Sequence, residues 1–275
     1  MTASAGNAPV VAFERAGLRF GDRTLWSGLD LDIRPGEFLA VLGANGTGKS
    51  SMLKAVLGQQ ALSTGAVRVF GRPASSGDQR IGYVPQQRAL DPGTPLRARD
   101  LVAFGLNGHR WGLPINTATT RQRVAAALAS VGATEFADSP VATLSGGEQQ
   151  RVRVAQAVAA DPALLLCDEP LLSLDLAQQR EISDLIDSVR RRTGAAVVFV
   201  THDVNPILGM VDRVLYLAGG RFRIGPPEEV LRSEVLSEMY DTPVEVLHRG
   251  GRILVVGVPD GDGVDDAHHH EDGGF

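Results

Sequence analysis

Gly43-Ala44-Asn45-Gly46-Thr47-Gly48-Lys49-Ser50 follows a short apolar run, Phe38-Leu39-Ala40-Val41-Leu42, and precedes a helix-like stretch, Ser51 to Leu57, that Gly58 stops. Strand, glycine loop and helix start are the context in which the pattern G-x-x-x-x-G-K-[ST] binds phosphate. The glycines let the backbone curl so that several N–H groups point at one anion. The following helix adds its positive end. Lys49 then offers a point charge to the β- and γ-phosphates, and Ser50 a hydroxyl to Mg²⁺. A chance glycine-rich turn would not bring these flanks with it.

Working outward, the 275 residues suffice for one large domain or two small ones, and 43% are hydrophobic, so a sizeable core is available. No apolar run approaches the length of a bilayer span. Met1 to Pro9 is small and polar, without a basic-then-apolar signal pattern. The expected location is the cytoplasm, with any membrane role exercised through a partner. The one cysteine, Cys167, excludes an internal disulfide framework and sits in an apolar run, as a small buried hydrophobe does. The formal charge is −5, but six acids lie after residue 259, where there is no Lys or Arg. Without them, 27 basic residues face 26 acidic ones, and no nucleic-acid-binding face is expected. Arg190-Arg191-Arg192 reads as a solvated helix end, where cations suit the dipole.

Residues 10–34 alternate with a period of two, broken by Gly17, Gly21-Asp22 and Gly28, which predicts short antiparallel strands. Strands are also predicted at 66–70 and 80–84. Residues 88–143 are rich in Ala, Arg and Leu, with helical stretches near 97–105 and 120–131, and read as a helical insertion. Leu164-Leu165-Leu166-Cys167 and Ala196-Val197-Val198-Phe199-Val200 are buried strands, separated by a helix that presents Ile182, Leu185, Ile186 and Val189 on one face and closes at Gly194. Strands alternating with helices predict a parallel sheet covered on both faces. A hairpin at 214–224, a helix at 234–240 and a last strand pair across Gly250-Gly251 follow. Residues 257–275 are Gly- and Asp-rich, a composition that predicts disorder.

The second half narrows the chemistry. Leu144-Ser145-Gly146-Gly147-Glu148 opens a helical run with capping-box spacing, and its two glycines leave the first turn open to an anion. Asp168 and Glu169 end a buried strand, the edge at which parallel sheets place ligands. Asp168 can hold Mg²⁺, and Glu169 can polarise an attacking water. Asp175 follows in the next loop; His202 ends the next buried strand, within reach of a γ-phosphate at the same sheet edge. Gln86 stands at the entrance to the helical insertion, where it can touch both Mg²⁺ and a moving element.

In this order, over roughly residues 10–240, these residues resemble the ATPase subunit of ABC transporters. The resemblance implies a P-loop NTPase fold of ABC type: α/β, with a mainly parallel core sheet, an antiparallel β subdomain and a helical insertion at about 88–160. It implies an ATPase domain over 10–247, a C-terminal strand at 248–258 and an acidic, His-containing tail at 259–275. It implies ATP and Mg²⁺ as ligands. Gly43, Ala44, Asn45, Gly46, Thr47, Gly48, Lys49, Ser50 and Ser51 would cradle the phosphates, and Phe20 would stack on adenine. Ser50, Gln86 and Asp168 would hold Mg²⁺. Glu169 would be the catalytic base, assisted by Lys49, Gln86 and His202. Ser145, Gly146, Gly147 and Asp175 would approach the nucleotide of a second copy packed head to tail. Two residues depart from the family pattern: Leu171, where a small or hydroxylated residue is frequent, and Ser173, where Ala or Gly is usual. Neither removes a catalytic group.

One nucleotide-binding unit without a membrane segment resembles importer ATPases, which act at the cytoplasmic face of the membrane with a separate polytopic permease. The segments 225–230, 233–240 and 242–256, with Pro85-Gln86-Gln87-Arg88 and Leu90 to Asp100, are similar to those of bacterial zinc/manganese importers. That likeness implies an extracytoplasmic metal-binding protein as an indirect partner. Iron-siderophore importers are close relatives of that group. A non-transport ABC ATPase is a further alternative, although translation-associated members carry two units per chain and DNA-repair members a long coiled coil. His268-His269-His270 among tail acids offers zinc donors, but a solvated tail or the residue of an expression tag is the favoured reading, because no rigid cage is evident.

Overall fold

The computed structural model describes residues 8–86, 96–107 and 117–257. Residues 1–7, 87–95 and 108–116, and the acidic tail with His268 to His270, lie outside the described residues. In chain order, β1 (Val11–Phe20), β2 (Arg23–Ile33), β3 (Phe38–Gly43), α1 (Lys49–Val56), β4 (Thr64–Val69), β5 (Arg72–Pro73) and β6 (Ile81–Val84) precede three helices, α2 (Ala98–Asn107), α3 (Ala118–Ser130) and α4 (Gly146–Val158). Then come β7 (Leu164–Asp168), α5 (Leu176–Thr193), β8 (Ala196–Val200), β9 (Arg213–Ala218), β10 (Arg221–Gly225), α6 (Pro227–Val230), α7 (Ser233–Tyr240), β11 (Val244–Arg249) and β12 (Arg252–Gly257).

The central sheet runs β10-β9-β3-β8-β7-β6, parallel except for the β9–β10 edge hairpin. Every residue of β3, β7 and β8 is buried, which is why these strands read as unbroken apolar runs. The pleat divides them between two cores. Phe38, Ala40, Leu42, Leu165, Cys167, Val197 and Phe199 face the helices, and the Phe38 and Phe199 rings stack at 5.6 Å. Leu39, Val41, Leu164, Leu166, Val198 and Val200 face α1 and a second, antiparallel sheet, β2-β1-β4-β5. No helix among the described residues is long and apolar enough to cross a membrane.

The predicted short strands of residues 10–34 are two long ones. Gly17 does not end β1; it marks an irregular pairing, with register shifts against β2 from Phe13 to Arg19 and one shift against β4 between Glu14 and Gly17. A Cβ there would lie 2.4 Å from Thr64 Oγ1, so the glycine admits a close strand approach. The Arg190 end of α5 also departs from expectation. Arg190 is packed rather than solvated: it pairs with Asp187 at 2.8 Å and Asp212 at 3.3 Å, and donates to Gly36 O at 2.7 Å. It thereby ties the helix end to the turn that launches β3. At the C-terminus, β11 continues through Arg249 and pairs along its length with β12, so a boundary at 247/248 falls inside one hairpin.

Candidate nucleotide site

The phosphate loop leaves the carboxyl end of β3, between β8 and β9. Its first and last glycines are demanded by geometry. Gly43 has φ 140°, and a Cβ on it would stand 2.2 Å from Leu217 O. Gly48 has φ 98°, and its missing Cβ makes room for the indole of Trp26, whose buried Nε1–H has no hydrogen-bond partner. Thr47 Oγ1 donates to Ala44 O at 2.9 Å and tightens the loop from within. The start of α1 carries no side-chain cap and no acidic residue in its first turn, so its leading N–H groups stay available to an anion.

Lys49 is only 5% exposed, with Nζ donating to Gly43 O at 2.7 Å and Ala44 O at 3.0 Å. Burial lowers its pKa below the ordinary lysine value, and the nearby Glu169 and Asp168 carboxylates partly offset this. The cation is thus folded back on its own loop. Ser50 Oγ donates to Asp168 Oδ1 at 2.8 Å, joining the loop helix to the end of β7. The Tyr83 hydroxyl, on β6, lies 3.3 Å from the other oxygen, Oδ2. Sequence order alone does not reveal that contact; the parallel pairing of β6 with β7 creates it.

Parallel register also gathers the remaining groups. Val84 pairs with Cys167 and Asp168 with Val200, so Gln86, Asp168, Glu169 and His202 leave the same sheet edge. Gln86 lines a cleft of about 450 Å³ together with Ser50, Lys54, Tyr83, Arg153 and Asp168. Glu169 has φ 47°, a left-handed conformation rare for a non-glycine residue, and its N–H donates to Val200 O at 3.0 Å. Such strain recurs at sites where a side chain must be aimed. His202 is exposed. Phe20, at the tip of the β1–β2 hairpin, is 49% exposed, so its ring face is open rather than part of the core. Cys167 is fully buried, and burial pushes its thiol well above the ordinary range, as an inert packing residue requires.

The sequence profile of the family described as ABC transporter matches residues 26–172. The chain is an ABC ATPase. It is 39% identical over 250 residues to the hemin import ATP-binding protein HmuV of Streptomyces coelicolor, covering 87% of this chain and 88% of that one. It is 34% identical over 231 residues to the zinc import ATP-binding protein ZnuC of Pseudomonas fluorescens, covering 84% and 82%. Among solved structures it is similar to the ATP-binding cassette MJ0796, a dimeric post-hydrolysis state bound to ADP and Pi. There the TM-score is 0.66 at 29% identity, over 78% of this chain and 98% of that one.

The remaining motif residues of this ABC ATPase form a second cluster. Ser145 is the N-cap of α4, in a full capping box with Glu148: Ser145 N donates to Glu148 Oε2 at 2.7 Å, and Glu148 N to Ser145 Oγ at 3.4 Å. The Ser145 backbone N–H, and after it the Ser145 side chain, hydrogen-bond the Glu148 carboxyl and hold it below its usual pKa. Gly146 and Gly147 form the first turn. Among the described residues, no hydrogen bond joins this helix start to residues 43–50. Asp175 caps α5, accepting from Gln178 N at 2.8 Å, so its carboxylate has a local structural task. Of the two departures, Leu171 is buried, and Ser173 has φ 64°, a left-handed conformation that glycine fits most readily.

Proposed function

We propose that the chain is the ATP-binding subunit of an importer that moves a divalent metal ion, zinc or manganese, through a separate polytopic permease. It would work at the cytoplasmic face of the membrane, and an extracytoplasmic metal-binding protein would supply the permease. The observation that carries the ATP-driven part is the division of the site. The uncapped start of α1 with Lys49, and the glycine start of α4, are separate helix starts on one chain with no hydrogen bond between them among the described residues. Neither alone neutralises a triphosphate. A second copy, packed head to tail, brings its α4 start to the first copy's phosphate loop, and ATP becomes the bond between them.

In this reading Phe20 stacks on adenine, and the N–H groups of residues 43–51 surround the phosphates. Lys49 exchanges its loop carbonyls for the β- and γ-phosphates. Ser145, Gly146, Gly147 and Asp175 serve the partner's nucleotide. The hydroxyl of Ser50 and the carboxylate of Asp168, already within hydrogen-bond distance, are hard oxygen donors suited to Mg²⁺, with Gln86 beside them. Mg²⁺, when bound, offsets charge on the β- and γ-phosphate oxygens. Glu169 accepts the proton of the attacking water, and His202 contacts the γ-phosphate. A groove of about 180 Å³ between β6, α2 and α4, bordered by the half-exposed Phe104, supports permease docking on the helical insertion.

The zinc-import relative supports a metal cargo, whereas the 39% identity to a hemin-import protein favours a second reading, an iron-chelate cargo. Uptake in a strain lacking this chain separates them. Cell-associated zinc or manganese is expected to fall while growth on hemin or a siderophore is unchanged, and the opposite pattern establishes the second reading.

A further inference from the structure

Among the described residues, one side chain of the loop that carries His202 hydrogen-bonds the C-terminal hairpin. Thr201 Oγ1 donates to Asp203 O at 2.9 Å and accepts from Asp203 N at 3.2 Å. Asp203 Oδ1 accepts from Asn205 N at 2.9 Å and Asn205 Nδ2 at 2.7 Å. Asn205 then reaches outside the loop: Oδ1 accepts from Ile253 N at 2.7 Å, and Nδ2 donates to Ile253 O at 2.9 Å. One amide thus satisfies both backbone groups of a residue on the outer edge of β12, as a neighbouring strand would. Both Nδ2 hydrogens and the Oδ1 acceptor are in use. Ile253 is buried, so its N–H and C=O would be costly to leave unpaired. Among the described residues, the two Asn205–Ile253 bonds are the side-chain hydrogen bonds of residues 201–205 that leave the loop.

We propose that this clamp makes the β11–β12 hairpin a brace for the His202 loop, and that Asn205 is a positioning residue acting on turnover through His202. The proposal rests on the reading of His202 given above. The Thr201 and Asp203 bonds fix the loop's internal shape, and Asn205 fixes it against a second element. Losing the clamp leaves Lys49, Phe20 and the phosphate loop untouched but frees the end of the histidine loop. Turnover then falls without loss of nucleotide affinity, because the catalytic geometry is no longer held in advance.

The test is a cycle in the full chain with its permease: Asn205→Ala, His202→Ala and both together, read by kcat, KM and the affinity of a fluorescent ATP analogue. Asn205→Ala is expected to lower kcat about 10- to 100-fold, with nucleotide affinity within about two-fold of wild type. In the His202→Ala background it should slow turnover no further. Melting curves of every variant guard against a folding defect, and a second variant breaks the clamp from the other side: Ile253→Pro removes the clamped N–H, which points away from β11, at an edge position that tolerates proline. It should match Asn205→Ala, and the pair combined should be no slower than either. Wild-type turnover in Asn205→Ala beside a slow His202→Ala overturns the clamp, as does undiminished further slowing in the double variant. Near-normal turnover in His202→Ala itself overturns the reading of His202, and the proposal with it.

Discussion

Glu169→Gln is expected to lower ATP turnover by about 10²- to 10⁴-fold, the range contributed by a positioned general base. The same variant should bind ATP as tightly as wild type and hold it in a long-lived dimer. The substitution keeps the size of the side chain and the left-handed backbone at φ 47°, so the aim of the group is retained and only its basicity is lost. It also removes a negative charge beside the phosphates, which favours the bound state. Single-turnover hydrolysis with size-exclusion chromatography in ATP checks both halves. Turnover near wild type would reject Glu169 as the base.

Lys49→Met separates binding from stability. Removing charge-assisted hydrogen bonds to phosphate, worth about 1.5–3 kcal/mol each, should weaken ATP binding roughly 100-fold. In the nucleotide-free chain the outcome differs in sign. Burial outweighs the attraction of Glu169 and Asp168, so the folded-state pKa of Lys49 lies below its unfolded value. Between the two values the unfolded chain binds more protons, and stability rises with pH; below the folded value the cost of the buried charge is present in full. The melting temperature of Lys49→Met without nucleotide should therefore be no lower than that of wild type. The variant should lack the wild-type gain in stability as pH approaches the ordinary lysine value of 10.5. The rise in melting temperature that ATP gives the wild type should vanish. Thermal melts across pH, with and without ATP, measure all three, and a clear loss of nucleotide-free stability at neutral pH would contradict the assignment of Lys49 as a cation held at an energetic cost.

Much of this architecture is legible because it is local. The phosphate loop lies within one strand–loop–helix unit, and the capping box of α4 within four residues. β7 and β8 read as strands because both of their faces are buried. What the sequence hides is set by tertiary pairing. Gly17 reads as a break, yet pairing with β4 carries β1 through it. Phe20 fits a core or a surface equally well until the hairpin tip leaves it open. Arg190 looks like one of three solvated arginines, yet Asp212 and Gly36 lie beside it in space and not in sequence. Tyr83 meets Asp168 through parallel register across 85 positions, and Asn205 meets Ile253 across 48; no short pattern encodes either.

The shared nucleotide site is tested most directly by the mass of Glu169→Gln in ATP, measured by sedimentation beside Glu169→Gln/Gly146→Asp. The added carboxylate suits a helix start but repels a triphosphate arriving from another copy. The account predicts an ATP-dependent dimer for the first protein, and a monomer that still binds ATP for the second. A dimer of equal strength in both, or a Glu169→Gln protein that fills with ATP and remains single, would contradict it.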